Sequence, residues 1–168
     1  MVKLAYFSNI NPIVETENFC IFIPNKPHID KNDGGHICIA IKGQDIFLVQ
    51  DLTDEQLFEL SVLTKIVGEA MITVLNSQGI DVKLINYQIN GNWTYNSVKR
   101  ANLHMHLYGR ALSSKKQVFG QSLYFPDRNE NAEFYSSNKP LSNDDATALN
   151  KYIVNAISNK YSDIITVI

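Results

Sequence analysis

The stretch "ANLHMHLYGR", residues 101–110, constrains the fold more than any other part of the chain, because polar and apolar residues alternate along it. Asn102, His104 and His106 take every second position, and apolar residues stand between them. Successive side chains of a strand point to opposite faces, so the alternation predicts a strand over residues 102–108. We expect the apolar face to pack on the core and the three polar side chains to line the other face.

Four more runs rich in β-branched and aromatic residues predict strands, and two periodic runs predict helices. The strands are expected over residues 2–7, 19–24, 36–42 and 82–89. The longer helix is expected over residues 53–77, where Thr53 and Gln56 form a capping box, and the shorter over 142–159, with Ser142 as N-cap. One apolar stripe of the longer helix is expected to face the sheet: Leu57, Leu60, Leu63, Val67, Met71, Val74 and Leu75.

Two separated helices among several strands, without regular βαβ alternation, predict an α+β fold with an antiparallel sheet and one long helix packed on it. The chain has 168 residues and no repeat or linker, so we expect a single domain over residues 1–168. Its core is placed at about residues 19–110, and a C-terminal extension with the second helix at 111–168. Turn formers fill residues 25–35, and the length of that connection indicates a functional loop.

Composition and charge exclude several classes of protein. A net charge of −2 is not that of a general nucleic-acid binder, which carries a clear excess of Lys and Arg. The N-terminus lacks the apolar core of a signal peptide, and no apolar run approaches the roughly 18 residues of a membrane span. We therefore expect a cytoplasmic protein with no nucleic-acid or membrane partner. Cys20 and Cys38 each lie in an apolar run and are expected to be buried, reduced thiols.

The region around the histidines is basic, although the protein as a whole is slightly acidic. No Asp or Glu occurs between Val82 and Pro126. Six basic residues fall in the same window: Lys83, Lys99, Arg100, Arg110, Lys115 and Lys116. An anionic ligand responds to such a local field and not to the total charge. The acid-poor window therefore favours an anion as the ligand.

Three interpretations of His104 and His106 are open from the residues alone. The two side chains could be solvated on the surface of the strand. They could share a metal ion with His28 and His36, although a closed zinc site usually has four ligands and cysteines or carboxylates near the motif are lacking. They could also be catalytic, with an imidazole as nucleophile or proton carrier. The acid-poor window favours the catalytic interpretation.

The motif Asn102-Leu-His104-Met-His106-Leu-Tyr108 resembles the signature of the histidine triad superfamily, in which three histidines alternate with apolar residues. Three upstream segments extend the resemblance. "GGHICIAIK" is similar to the family's strand before its long helix, "DLTDEQLFELSVLTKIVGEAM" to that helix, and "NYQINGN" to the next strand with its Asn-Gly turn. The resemblance covers about residues 19–110.

The resemblance implies nucleotide chemistry. In this family the middle histidine attacks the α-phosphorus of a nucleotide, and water or another acceptor then releases a nucleoside monophosphate from the nucleotidyl-histidine. His104 matches the nucleophile, and His106 matches the third histidine, which contacts the phosphate and helps the leaving group. His36 matches a histidine that lies near the triad in many members. The resemblance further implies a purine nucleotide as substrate, a homodimer and no cofactor.

Two departures from the family pattern bear on activity. Asn102 replaces the first histidine, and a carboxamide cannot titrate near pH 7. The position still functions if it mainly supplies its backbone carbonyl to orient the nucleophile. Ser97-Val98 matches a family pair that precedes the first histidine, but two extra residues separate it from Asn102. Either Ser97 or the basic pair Lys99 and Arg100 is expected to contact the phosphate.

Three more residues are candidates for substrate binding. Asn90 matches the family's asparagine near the phosphates, and an ordinary Asn-Gly turn would explain it equally. Asn25 follows a predicted strand, where the family often has an acidic residue that binds the ribose. Trp93 could stack on a base or cover the edge of the core.

The sequence therefore predicts a hydrolase or nucleotidyltransferase that cleaves a dinucleoside polyphosphate or a nucleoside phosphoramidate at its α-phosphate. Two rival functions stay open. Asn102 keeps open a non-catalytic nucleotide-binding module. The four histidines together keep open a metal-dependent enzyme.

Overall fold

Five antiparallel strands form one sheet with the order β1-β2-β3-β5-β4. The computed structural model describes residues 10–42, 45–94 and 101–168. The strands are β1 (Asn11–Glu15), β2 (Phe19–Ile23), β3 (His36–Ile41), β4 (Val82–Gln88) and β5 (His104–Ala111). The histidine-bearing strand β5 thus lies inside the sheet, between β3 and β4.

Within the described residues, three α-helices accompany the sheet: α1 (Asp54–Ser77), α2 (Ala132–Ser136) and α3 (Asn143–Lys160). Thr53 and Gln56 form the predicted capping box at the start of α1. Ser142 caps α3, as predicted, by accepting from the backbone N–H of Asp145. The predicted α+β architecture, an antiparallel sheet with a long helix, is confirmed.

Some details of the prediction are wrong. β1 was not predicted, because Pro12 disfavours a strand, but an edge strand tolerates a proline. The strand predicted over residues 102–108 begins at His104 and continues to Ala111. Leu57 is 40% exposed, because the first turn of α1 is left uncovered, whereas the other six members of the stripe are buried. The strand predicted over residues 2–7 lies outside the described residues.

The two faces of the sheet have different surroundings. The isoleucines of β3 belong to a large buried cluster that includes side chains of α1 and α3. His36, Cys38 and Ala40 alternate with those isoleucines, and the last two pack with Cys20 and Phe22 in a separate cluster. Both cysteines are buried and free, as predicted. The period of two therefore directs the isoleucines to the helices and the histidine to the opposite face.

The backbones of Gly34 and Gly109 are in direct contact just before β3. A Cβ atom on Gly109 would overlap the carbonyl group of Gly34, and Gly34 itself has a φ of 123°. Both features require glycine. The backbone N–H of Gly109 also donates to the carbonyl of Gly35 at 3.1 Å. This close approach fixes β5 against the start of β3 and so sets which side chains meet between the two strands.

The C-terminal extension shares the core of the rest of the chain. Leu149, Ile153 and Ile157 of α3 are buried in the same cluster as α1 and the sheet. The shorter helix α2 lies near the histidines and not in this core, because the ring of Tyr135 contacts that of His28. Among the described residues, no helix combines the length and the apolar character that a membrane span requires.

Candidate active site

His104 and His106 lie on one face of β5, with ring centroids 4.5 Å apart in an edge-to-face arrangement. Leu103 and Leu107 are buried in the large core cluster, and Met105 packs against it. The predicted division into an apolar face and a histidine face is therefore confirmed. In the neighbouring strand, Cys38 pairs with His106 in the β3–β5 register.

The carbonyl oxygen of Asn102 orients the ring of His104. It accepts a hydrogen bond from Nδ1 of His104 at 2.8 Å. A neutral imidazole carries one proton, so this bond assigns the proton to Nδ1 and leaves a lone pair on Nε2. An unprotonated nitrogen is the atom that can attack an electrophile. Replacement of the first histidine by asparagine leaves this backbone contribution intact.

A chain of hydrogen bonds determines which ring nitrogen of His106 carries the proton. The backbone N–H of His28 donates to Nδ1 of His36 at 3.2 Å. Neutral His36 therefore carries its proton on Nε2 and donates it to Nδ1 of His106, 2.9 Å away. His106 is left with its own proton on Nε2. The β5 pair thus presents an unprotonated Nε2 on His104 and an N–H donor at Nε2 of His106.

A second chain of hydrogen bonds holds His28. The side-chain amide of Asn90 donates to the hydroxyl of Tyr108 at 3.2 Å. The same hydroxyl lies 2.8 Å from Nδ1 of His28 and donates its proton there. His28 therefore carries its own proton on Nε2. Asn90 does more than begin a turn, since it helps to arrange the histidine cluster.

All four imidazoles are neutral near pH 7. Burial lowers the pKa of His106 from 6.5 to about 2, with smaller contributions from the His104 and His28 rings. Burial also lowers the pKa of His28 to about 3, and the positive charge of Arg128 is the next cause. Burial holds the pKa of His36 well below 6.5. The pKa of His104 is lowered by burial and raised to a smaller extent by its backbone hydrogen bond.

His28, His36 and His106 form a cluster that could hold a metal ion, since one nitrogen of each ring lies within 4.8 Å of the others. Two imidazoles on one tetrahedral zinc ion, at about 2.0–2.1 Å each, hold their nitrogens about 3.3 Å apart. The nitrogens of His36 and His106 are 2.9 Å apart, which is a hydrogen-bond distance. A ligand at Nε2 of His36 would also require a proton on Nδ1, where the His28 N–H already points. The geometry fits hydrogen-bonded neutral rings better than an ion site.

Aromatic rings surround His28 on the side away from the core. The ring centroids of Trp93 and Phe125 each lie 5.4 Å from that of His28, and the Tyr135 centroid lies at 6.3 Å. Trp93 is 52% exposed. The indole of Trp93 therefore lies beside His28 and is partly open to solvent, and both roles considered for it, stacking on a base and covering the edge of the core, stay predictions.

Basic residues of the acid-poor window do not all gather at the histidines. Arg110 is buried and donates to Asn86 and to three backbone carbonyls between Gln117 and Gln121. Lys116 donates to three oxygen atoms of residues 134–138. Both side chains hold the C-terminal extension in place. The expectation of a basic ligand site is therefore wrong for these two residues, because their N–H groups donate to backbone and side-chain oxygen atoms of the protein itself.

The other predicted residues are placed as follows. His36 lies in the histidine cluster, as expected. Asn25 is exposed just after β2 and lines a cavity with Lys26 and Arg128. The three candidates for a phosphate contact lie outside the described residues: Ser97, Lys99 and Arg100.

Four residues of the site were missed or given another role by the sequence analysis. His28 was considered only as a metal ligand. It belongs to the connection between β2 and β3, whose length indicated a functional loop. Tyr108 continues the alternation of β5 by one more step, and that signal could have identified it. Phe125 and Arg128 reach the cluster from the extension, and no local pattern in the sequence marks them.

Comparison with known proteins identifies the fold. No protein-family model and no curated protein sequence matches the chain. Among solved structures, a histidine triad protein from Marinobacter aquaeolei VT8 matches with a TM-score of 0.59 and 13% identity, over 93% of both chains. The chain has the histidine triad fold. A histidine triad protein from Sinorhizobium meliloti 1021 matches with a TM-score of 0.58 and 15% identity, over 90% of this chain and 98% of that chain.

The histidine triad fold also matches part of a larger protein. A uridylyltransferase superposes with a TM-score of 0.53 and 16% identity, over 86% of this chain and 41% of its own. The resemblance inferred from the β5 motif is therefore confirmed at the level of the fold.

Proposed function

We propose that the protein is a hydrolase or nucleotidyltransferase of the histidine triad type, which cleaves a nucleotide at its α-phosphate and releases a nucleoside monophosphate. Its substrate is a dinucleoside polyphosphate or a nucleoside phosphoramidate with a purine base. One feature carries the proposal: the hydrogen bonds of the paired His104 and His106 rings assign opposite protonation states to their Nε2 atoms. The histidine triad proteins and the uridylyltransferase that share the fold support it.

His104 is the nucleophile in the proposed reaction. Its Nε2 lone pair attacks the α-phosphorus, an N–P bond forms, and the leaving group departs with the electron pair of its own bond to phosphorus. The imidazole becomes positively charged, and the carbonyl of Asn102 stabilises that charge through the Nδ1–H bond. Water then attacks the phosphorus, the N–P electron pair returns to Nε2, and the monophosphate leaves as the proton of the water passes to solvent.

His106 supplies a hydrogen bond and not a proton. Its pKa of about 2 keeps it neutral, and loss of the Nε2 proton from a neutral ring would leave an unfavourable anion. A fixed N–H donor stabilises negative charge as it develops on a phosphoryl or leaving-group oxygen. The leaving group of a phosphoanhydride departs as a phosphate anion without protonation. This arrangement therefore suits a dinucleoside polyphosphate better than a phosphoramidate, whose amine must be protonated.

Substrate binding is assigned to residues around the pair. Trp93 provides an exposed aromatic ring on which a base can stack. Asn25 contacts the ribose, while Asn90 and His36 hold the donors in position. The phosphate contact is assigned to one of two alternatives: either Ser97, or Lys99 together with Arg100.

A panel of nucleotides tests the proposed function. The purified protein is incubated with diadenosine polyphosphates, adenosine phosphoramidate and their guanosine counterparts, with and without EDTA, and the products are separated by chromatography. We expect a nucleoside monophosphate from at least one substrate and the same rate with the chelator. Binding without product would establish the non-catalytic module. Loss of activity in EDTA, with stoichiometric metal by elemental analysis, would establish the metal-dependent enzyme.

We further propose that the protein is a homodimer formed through the exposed edge of β4. Leu84, Tyr87 and Ile89 are exposed there, and Leu84 reaches 60%. An open edge with apolar side chains is a surface on which another strand can pair. Sedimentation equilibrium should give about twice the 19.0 kDa of one chain. The variant Leu84→Lys should sediment as a monomer and Ile164→Lys, at an exposed site near the C-terminus, as a dimer; a monomeric native protein would contradict the proposal.

We also assign the reaction to the cytoplasm, without a cofactor. The free thiols of Cys20 and Cys38 stay reduced in that compartment. The proposed steps use only imidazole nitrogens, a backbone carbonyl and water.

A further inference from the structure

A cavity of about 350 Å³ lies between the turn that follows β2 and the C-terminal extension. This volume falls within the range of small-molecule sites, about 300–1,000 Å³. Its walls combine two basic side chains with amide, hydroxyl and aromatic groups: Asn25, Lys26, Arg128, Ala132, Tyr135, Ser136 and Asn138. No acidic residue is among these lining residues, so their formal charge favours an anion.

Arg128 is held in position at the cavity by two contacts. Its guanidinium carbon lies 4.3 Å from the centroid of the Tyr135 ring. One of its N–H groups donates to the backbone carbonyl of Lys26 at 3.3 Å. An arginine has five N–H donors, and its planar head binds phosphate oxygens in pairs. Stacking on Tyr135 therefore holds one positive charge at the wall of a cavity that Lys26 also lines.

The cavity adjoins the histidine cluster through shared residues. Tyr135 lines the cavity, and its ring centroid lies 6.3 Å from that of His28. The His28 ring in turn lies 5.5 Å from His106, the partner of the nucleophile. Asn138, at the cavity wall, donates to the carbonyl of His28 at 3.0 Å and so fixes the connection against the extension. From the cavity to the proposed nucleophile, the rings of Tyr135, His28, His106 and His104 follow one another at centroid separations of 6.3, 5.5 and 4.5 Å.

We propose that the cavity binds a second phosphate group of the nucleotide substrate, distinct from the phosphate that His104 attacks. The inference rests on the proposed function and narrows its substrate to nucleotides with at least two phosphate groups. Lys26 and Arg128 contact the second phosphate, and the hydroxyl of Ser136 can add a hydrogen bond, while Asn25 keeps its proposed contact with the ribose. That phosphate belongs either to the 5′ chain beyond the α-phosphate or to a ribose hydroxyl.

Calorimetric titration of the full chain in EDTA tests the inference without any need for turnover. The ligands are AMP, ADP, ATP and adenosine 3′,5′-bisphosphate. Two partly exposed contacts between a cation and a phosphate should together tighten binding about tenfold relative to AMP. A gain with ADP or ATP assigns the cavity to the 5′ chain, and a gain with the bisphosphate assigns it to the ribose phosphate. If AMP binds and none of the other three binds more tightly, the inference is wrong while the proposed function stands.

Variants show whether the gain arises in the cavity. The double variant Lys26→Gln/Arg128→Gln should bind the ligand that showed the gain about as tightly as it binds AMP. The charge-preserving variant Lys26→Arg/Arg128→Lys should retain most of the gain, so loss of folding and loss of charge are distinguished. The matched control Lys151→Gln/Lys160→Gln makes the same charge change on exposed positions of α3. A control that also abolishes the gain would assign it to the overall field and overturn the inference. Failure of the native chain to bind AMP or release any monophosphate would instead overturn the proposed function itself.

Discussion

Replacing His104 with alanine is expected to lower kcat by about four orders of magnitude or more, because no other group can form the covalent intermediate. His104 is only partly buried, and its ring donates a hydrogen bond to the backbone carbonyl of Asn102 just before its own strand. The fold should therefore survive the change. Steady-state kinetics on the best substrate of the panel measures the effect, and denaturant unfolding confirms that the variant is folded.

The adjacent residue offers a matched control for this variant. Met105 lies on the opposite face of β5 and packs against the core. Met105→Leu roughly conserves volume and should change the free energy of unfolding by less than about 1.5 kcal/mol. Its kcat should stay close to that of the native protein. Equal losses in the two variants would mean that β5 tolerates no change and that the effect of His104→Ala says nothing about a nucleophile.

Acidification is expected to destabilise the protein steeply from pH 6.5 downward. The pKa values of His28, His36 and His106 are all lowered in the folded state, chiefly by burial. The unfolded chain takes up protons near pH 6.5, whereas the folded protein keeps these rings neutral, so the stability present above pH 6.5 is lost as the pH falls. Three such groups together cost about 5 kcal/mol between pH 6.5 and 5.0, which is a large part of the stability of a typical domain.

Denaturant unfolding at intervals between pH 7.5 and 5.0 measures this dependence. The window lies above the ordinary pKa of most carboxyl groups, about 4, so the histidines dominate it. The variant His28→Gln removes one of the three groups, and its slope against pH should be smaller by about a third. A free energy of unfolding that stays constant from pH 7.5 to 5.0 would show that the cluster is not buried in neutral form.

Much of the fold could be predicted because local patterns determine it. The capping box of Thr53 and the N-cap Ser142 marked the starts of α1 and α3, and the period of two in β5 separated its two faces. β1 escaped prediction because tertiary position, and not propensity, makes an edge strand of a segment that contains Pro12. Leu57 fits the periodicity of α1, but periodicity does not show where the covering elements end.

The site was predictable where its residues lie on one strand and not where distant segments meet. His104, His106 and the use of the Asn102 carbonyl follow from the alternation and from the family resemblance. The contact between His36 and His106 joins residues 70 positions apart, and its distance could not be read from the sequence. Charge was the least predictable feature. Arg110 and Lys116 lie near the motif in sequence but bind the extension, whereas Arg128 lies outside the acid-poor window and is close enough to help lower the pKa of His28.

The central claim is that Nε2 of His104 forms a bond to the α-phosphorus of a nucleotide, and trapping that adduct tests it directly. The protein is mixed with substrate, quenched within one turnover under alkaline conditions that preserve an N–P bond, digested, and analysed by mass spectrometry. We predict a nucleoside monophosphate addition on the peptide that contains His104, localised to that side chain. The addition should be missing in the His104→Ala variant, for which Met105→Leu is the matched control. A monophosphate product formed with no adduct, or with the adduct on His106 or His28, would contradict this account.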